Sequence, residues 1–228
     1  MLGNMSRIIS PSVLSADFLH LGRDTEMLNR SEAEWIHIDV MDGVFVPNLS
    51  FGFPVLSAIR KVTTKVLDTH LMIVEPERYI ERFAKAGADI ITFHYEAVED
   101  PLSVLRAIRA LEMPCGIAIS PKTSVDVLYP LLGEAKMFLI MTVEPGFGGQ
   151  ALIPETLDKV RHLRRYAIQQ GREVNIEVDG GIGAENALYC TEAGANILVS
   201  GSALFKSRHP KAAIQKMREA YREHPFLG

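Results

Sequence analysis

Histidine and aspartate recur at two-residue spacing inside otherwise apolar runs. In Trp35-Ile36-His37-Ile38-Asp39-Val40-Met41, isoleucine and valine alternate with His37, Asp39 and Met41, which is the period of a β-strand. Successive side chains leave opposite faces of a strand, so His37, Asp39 and Met41 share one side. Leu67-Asp68-Thr69-His70-Leu71-Met72 repeats the arrangement, and Asn175-Ile176-Glu177-Val178-Asp179 ends in a carboxylate directly before Gly180-Gly181. A buried imidazole and carboxylate are costly unless something pairs them. A lone His-x-Asp pair could satisfy itself by hydrogen bonding. Two histidines and two carboxylates (His37, Asp39, His70 and Asp179) on three strands at one level read better as ligands for a divalent ion. Their donor atoms suit Zn2+, Mn2+, Fe2+ or Co2+.

Glycine supplies the second chemical signal. Glu144-Pro145-Gly146-Phe147-Gly148-Gly149-Gln150 follows one strand, and Gly180-Gly181 and Ser200-Gly201-Ser202-Ala203 follow the next two. Glycine lets backbone N–H groups approach an anion closely, and a helix start behind such a loop adds a favourable dipole. Each glycine could instead serve a tight turn that needs positive φ. Three such loops on successive late strands favour a phosphate cradle. A metal on one side of the site and a phosphate on the other implies a small sugar phosphate stretched between them.

Positioning these groups takes a regular scaffold, and strand-like and helix-like stretches alternate along the whole chain. The strands are read at Ile8 to Leu14, the Trp35 run, Lys65 to Met72, Asp89 to His94, Cys115 to Ser120, Met137 to Val143, Glu173 to Asp179 and Ala195 to Ser200. Between them lie helices. The first opens at Ser15-Ala16-Asp17 with Phe18, Leu21, Thr25 and Leu28 along one face. Others start near Pro54, at Pro76 (ending at Gly87) and at Leu102, followed by a short one over Val125 to Leu132. The last three carry Leu157 to Ile168, Ala184 to Ala193 and His209 to Glu223. Near-continuous apolar strands joined by helical crossovers imply a parallel sheet buried on both faces. Eight units in this length fit one closed (β/α)8 TIM barrel spanning 1–228, with residues 1–6 a disordered extension and Met5 an alternative start. An open doubly wound sheet fits less well, because no G-x-G-x-x-G follows the first strand. In a barrel the reactive residues lie at the C-terminal strand ends, where the four ligand candidates and the glycine loops fall.

Composition narrows the function classes. The chain of 228 residues is 47% hydrophobic, carries a net charge of -4 and has no basic block, so nucleic acid has no electrostatic footprint. Apolar runs are far too short for a membrane span, and the N-terminus lacks a signal-peptide pattern. Two widely separated cysteines, Cys115 and Cys190, suit a reducing cytoplasm.

On these residues the sequence resembles the ribulose-phosphate 3-epimerase family. The matching stretches are Ser10-Pro11-Ser12, His37 to Gly43, Phe45-Val46-Pro47-Asn48, His70-Leu71-Met72, Met141 to Gln150, Glu177 to Gly181 and Ser200 to Ala203. They span the barrel from first strand to last, and the run through Gly149-Gln150 is the most specific. The resemblance implies one divalent metal per subunit (Zn2+, Fe2+, Mn2+ or Co2+) held by His37, Asp39, His70 and Asp179. It implies Asp39 and Asp179 as the acid/base pair. Substrate contacts would come from Ser12, His70, Gly146, Phe147, Gly148, Gly149, Asp179, Gly180, Gly181, Gly201 and Ser202. Met41, Met72 and Met141 would form an apolar floor. Val44 departs from the histidine common in the family, at a loop position that leaves the ligand set whole. The family implies a homo-oligomer, dimer or hexamer, in pentose phosphate metabolism.

Epimerisation beside a ketone removes a proton from one face and returns it to the other. Strands two and seven lie roughly 135° apart around an eight-strand ring, so Asp39 and Asp179 can flank a planar enediolate. One of them must be held protonated at neutral pH. Rival readings are an allulose 6-phosphate 3-epimerase with the same groups, a phosphate-barrel decarboxylase and an inactive sugar-phosphate sensor. The decarboxylase pattern wants a lysine on strand three that Asp68-Thr69-His70 lacks. His20, His162, His209 and His224 read as surface and Asp42 as a turn residue; His94, at the end of strand four, reads as structural, with a supporting role beside the site as the alternative. Asp68 and Glu177 read as hydrogen-bond partners inside the barrel, and Trp35 as packing.

Overall fold

Eight parallel strands form in the computed structural model, which describes residues 7–223. They are β1 (Ile8–Pro11), β2 (Trp35–Met41), β3 (Val66–Met72), β4 (Ile90–His94), β5 (Cys115–Ile119), β6 (Met137–Met141), β7 (Asn175–Asp179) and β8 (Ile197–Ser200). Neighbours pair in the order β1-β8-β7-β6-β5-β4-β3-β2. A parallel bridge between Ser12 and His37 joins the two ends of that series, and the Glu34 N–H donates to the Ile9 carbonyl at 3.2 Å. The ring is the expected (β/α)8 barrel. The expectations for residues 1–6 and His224 fall outside the described residues.

The outward strand residues, among them Ile36, Ile38, Leu67, Ile91, Ile117, Phe138 and Ile176, pack against the helices in one continuous apolar core. The inward residues fall into levels. At the bottom Ile8, Ile90, Met137 and Ile197 close the barrel, with Trp35 packed on them as expected. Above this plug lie Ser10, His37, Asp68, Thr92 and Glu177, all buried. At the mouth, Ala118, Leu139, Met141 and Val143 make an apolar sector on β5, β6 and the turn after it. The polar sector on β2, β3, β4 and β7 is therefore where charge must be managed.

The helices are α1 (Leu21–Asn29), α2 (Phe53–Arg60), α3 (Ile80–Ala86), α4 (Pro101–Arg109), α5 (Thr156–Gln169), α6 (Ala187–Ala193), α7 (Ser202–Phe205) and α8 (Pro210–Glu223). Four local expectations are corrected. The first helix starts at Leu21, not at Ser15, because Asp17 caps a separate 3-10 turn over Phe18–His20 by accepting from the Leu19 N–H at 3.1 Å. Such local side-chain bonds compete with helix extension. Phe18 is consequently about half exposed and packs against Phe51 with the rings tilted, while Thr25 and Leu28 are buried. Pro76 opens a 3-10 turn (Pro76–Arg78), and the helix proper runs only over Ile80–Ala86, with Gly87 as its left-handed cap. The segment Val125–Leu131 is 3-10 with Pro130 inside it, where an α-helical bond would lack its N–H donor. The helix after β7 starts three residues late, because the Asn186 side chain accepts from the Gly183 N–H at 2.9 Å and holds a turn there.

Candidate active site

The register sets His70 opposite Asp39 across the β2–β3 pair, and Asp179 at the end of β7. His37, one inward step below Asp39, turns its Nε2 upward. The Asp39 Oδ1 atom lies 3.2 Å from His37 Nε2 and 3.0 Å from His70 Nδ1. The two nitrogens are 3.4 Å apart, and Asp179 Oδ2 lies 3.9 Å from His37 Nε2 and 3.8 Å from His70 Nδ1. One donor atom from each residue therefore lies within 4.8 Å of the other three. Ligands about 2.0–2.2 Å from a shared ion sit roughly 3.4 Å from one another in a tetrahedron. These four residues fit a divalent cation in donor type and in spacing.

Three of the four side chains are held from behind. His37 Nδ1 donates to Asp68 Oδ2 at 2.7 Å, which leaves Nε2 free to ligate. Glu177 lies against Asp68, fully buried. As an anion it has no donor for either oxygen; carrying a proton, it can donate to Asp68. The Ser12 hydroxyl donates to Asp39 Oδ2 at 2.5 Å. The Ser50 hydroxyl donates to the Asp39 carbonyl at 2.7 Å and accepts from the Met41 N–H, which ties the loop after β2 to the strand. Asp42 accepts from the Val44, Phe45 and Val74 N–H groups, the turn role read from sequence. His94 meets His70 through their Nε2 atoms at 2.9 Å.

Electrostatics separates the two acid/base candidates. Burial works against the Asp39 anion, but the His37 and His70 rings beside it outweigh burial and hold its carboxyl well below the usual range. Burial and the neighbouring Asp39 carboxylate together push Asp179 up to about 7. Burial lowers His37, yet Asp39 and Asp68 win and hold it well above an ordinary histidine. Burial pulls His70 down and takes His94 to about 4. Burial and Asp68 keep Glu177 well above the usual carboxylate range. The two carboxyls are thus shifted in opposite directions, Asp39 toward its anion and Asp179 toward its protonated form.

A cavity of about 1020 Å³ opens over this cluster. Ser12, Asp39, Gly146, Phe147, Gly148, Gly149, Asp179, Gly180, Gly181, Gly201 and Ser202 line it, as do Met41, Met72 and Met141. His70 is the exception among the substrate-contact residues expected from sequence: it is fully buried behind the cavity wall. The glycines serve both readings at once. Gly181 has φ +67, and a Cβ there would run into the Leu152 backbone. Gly201 has ordinary φ, but a Cβ would come within 2.8 Å of the Ser15 hydroxyl. Ser15, missed from sequence because it was given to a helix start, also lies 3.6 Å from the Cβ position of Gly148. Its hydroxyl thus stands between two of the glycine loops. Asn48 donates to the Gly146 carbonyl at 2.7 Å and ties the loops after β2 and β6 together across the mouth. His20, His162 and His209 are exposed and lie outside the site.

A family model described as ribulose-phosphate 3 epimerase matches residues 8–205, nearly all of the barrel. The chain belongs to the ribulose-phosphate 3-epimerase family. Within that family it is 47% identical over 223 residues to a ribulose-phosphate 3-epimerase of Synechocystis sp., covering 97% of each chain. It is 42% identical to the cytoplasmic isoform of the rice (Oryza sativa) enzyme, covering 93% of each. The chain is accordingly an epimerase, an isomerase built on a barrel. Among solved structures, 3-hexulose-6-phosphate synthase from Salmonella typhimurium superposes with a TM-score of 0.68 over 95% of this chain and 99% of that one. At 16% identity that likeness shows the shared fold alone. Among the described residues, no helix is long and apolar enough to cross a membrane.

Proposed function

We propose that this epimerase interconverts D-ribulose 5-phosphate and D-xylulose 5-phosphate by proton transfer at C3, with one divalent cation held by His37, Asp39, His70 and Asp179. The observation that carries the proposal is the convergence of those four side chains beneath a cavity ringed by glycine loops. Asp39 and Asp179 come from β2 and β7, three strands apart, so a flat intermediate between them is approached from both faces. Asp39, kept anionic by the histidines, takes the C3 proton from one face. Asp179 returns a proton to the other, and the roles exchange in the reverse direction. A divalent cation (Zn2+, Fe2+, Mn2+ or Co2+) in this set supplies Lewis-acid stabilisation of the negative charge that develops on the two adjacent substrate oxygens. Ser12 aims Asp39. Met41, Met72 and Met141 give the reacting carbons an apolar wall that excludes water. Gly146 to Gly149, Gly180, Gly181, Gly201 and Ser202, with Ser15, cradle the phosphate.

The setting we assign is pentose phosphate metabolism in the cytoplasm, in keeping with the free, buried Cys115 and Cys190 and with the rice isoform's name. The assembly we assign is a homo-oligomer, dimer or hexamer. Leu19, Val44 and Leu49, on the loops after β1 and β2, are largely exposed and would be covered by it. The test is exchange of the C3 proton of ribulose 5-phosphate with deuterated solvent, with and without a chelator. Exchange that accompanies xylulose 5-phosphate formation and stops on chelation is expected. Release of CO2, or binding without exchange, would overturn the proposal.

A further inference from the structure

Behind His70 runs a chain of hydrogen bonds with a fixed direction. His94 ends β4 with its ring fully buried, its Nε2 2.9 Å from His70 Nε2 and its Nδ1 3.2 Å from Glu96 Oε2. The other Glu96 oxygen accepts from the Ser120 N–H at 2.7 Å and from the Thr123 hydroxyl. Phe45 packs on His94, their rings tilted with centroids 4.8 Å apart.

One direction of donation satisfies every link from Ser120 to His70. The Ser120 amide can only donate, so the oxygen facing it must accept. An ionised Glu96 accepts at its second oxygen as well, which places the His94 proton on Nδ1. The neutral His94 ring then offers Nε2 as an acceptor, and the His70 proton must sit on Nε2 to meet it. His70 Nδ1, 3.0 Å from Asp39 Oδ1, then faces Asp39, His37 and Asp179 and is the nitrogen available to an ion there.

We infer that Glu96 is a positioning residue for His70: through His94 it fixes which ring nitrogen of His70 carries the proton and so keeps Nδ1 available as a ligand. The inference rests on reading His70 as a ligand, and it adds a residue from the loop after β4 that touches neither the ion nor the substrate. Glu96→Gln makes it testable because the amide is nearly isosteric but has one accepting end. If its carbonyl stays with Ser120 and Thr123, the amide N–H2 faces His94, and each donor along the chain reverses. The proton of His70 then lands on Nδ1. The opposite amide orientation sets two donors against each other at Ser120.

The experiment uses the full-length protein, dialysed against chelator, with two readouts. The 15N-labelled histidine side chains report the His70 tautomer by NMR, and competitive titration with Zn2+ reports affinity. The native chain is expected to show Nε2–H at His70. Glu96→Gln is expected to show Nδ1–H and to bind Zn2+ roughly 10–100-fold more weakly. Thr123→Val removes a donor without reversing the chain, so its tautomer is native and its affinity stays within about threefold. Should Glu96→Gln not fold, the pair His94→Gln and His94→Leu decides: Gln retains an acceptor for His70 and keeps the tautomer, Leu loses it. A Glu96→Gln protein with native tautomer, or with native Zn2+ affinity, overturns the inference. A native chain that takes up no Zn2+ would instead sink the metal reading, while the tautomer measurement, made without Zn2+, still reads the chain of hydrogen bonds.

Discussion

Ser12 offers the sharpest separation between aiming a catalytic group and touching substrate. Its hydroxyl accepts from the Leu14 N–H at 3.3 Å, which leaves its own hydrogen directed at Asp39 Oδ2, 2.5 Å away. Ser12→Ala removes that bond while Asp39 keeps both histidines, at 3.2 and 3.0 Å. Asp39 therefore stays ionised at neutral pH, but the carboxylate is no longer held against rotation. A hydrogen bond to a charged acceptor contributes about 1.5–3 kcal/mol. Expressed in the transition state, that amounts to a roughly 10–100-fold loss of kcat. Expressed in stability, it lowers the melting temperature by roughly 3–10 °C. Steady-state kinetics on both epimers decides between roles. An aiming role lowers kcat with KM little changed, whereas loss of uniform substrate binding raises KM alone. Unchanged kcat would refute the reasoning about Ser12, and unchanged stability as well would mean the short contact contributes nothing.

Other consequences follow from the same geometry. Asp39→Asn and Asp179→Asn each abolish epimerisation while the far-ultraviolet circular dichroism stays native; near-normal turnover in either rules out the two-carboxylate scheme. Gly181→Ala strains a left-handed backbone position and meets the Leu152 backbone, so denaturant unfolding is expected to show a loss of about 1–3 kcal/mol. KM for the phosphorylated substrate should rise with it. Burial opposes ionisation of Glu96, but hydrogen bonds from His94, Thr123 and Ser120 outweigh it and take its carboxyl to about 2, below the ordinary 4.5. The unfolded chain then binds more protons between those values, so the Glu96 contribution is complete above about pH 4.5 and is lost as pH falls toward 2. Denaturant midpoints measured from pH 5 to pH 3 should fall more steeply in the native chain than in Glu96→Gln; parallel slopes would remove that assignment.

The barrel was legible because parallel strands buried on both faces leave an unbroken apolar signature, and turn residues marked each junction. The cluster of His37, Asp39, His70 and Asp179 was legible for a different reason. Parity alone puts His37 with Asp39, and Asp68 with His70, on the inner face, and an inner face tolerates such groups only if something pairs them. What sequence could not supply was anything made by loops. Glu96 is one of three acidic residues in the six after β4, and only the fold brings Ser120 and Thr123 to it from the loop after β5. Ser15 was absorbed into a helix that begins six residues later, since nothing local distinguishes a 3-10 turn from a first helical turn. Phe18 was given a helix face because its partner, Phe51, lies on another loop.

The central claim is that one cation sits where four side chains of β2, β3 and β7 converge. The most direct measurement is anomalous diffraction from crystals of the purified protein grown with Zn2+, recorded on either side of the metal edge. The account predicts one peak per chain, about 2.0–2.2 Å from His37 Nε2, Asp39 Oδ1, His70 Nδ1 and Asp179 Oδ2. A peak seated on other residues, or full turnover by protein in which these four hold nothing, would contradict it.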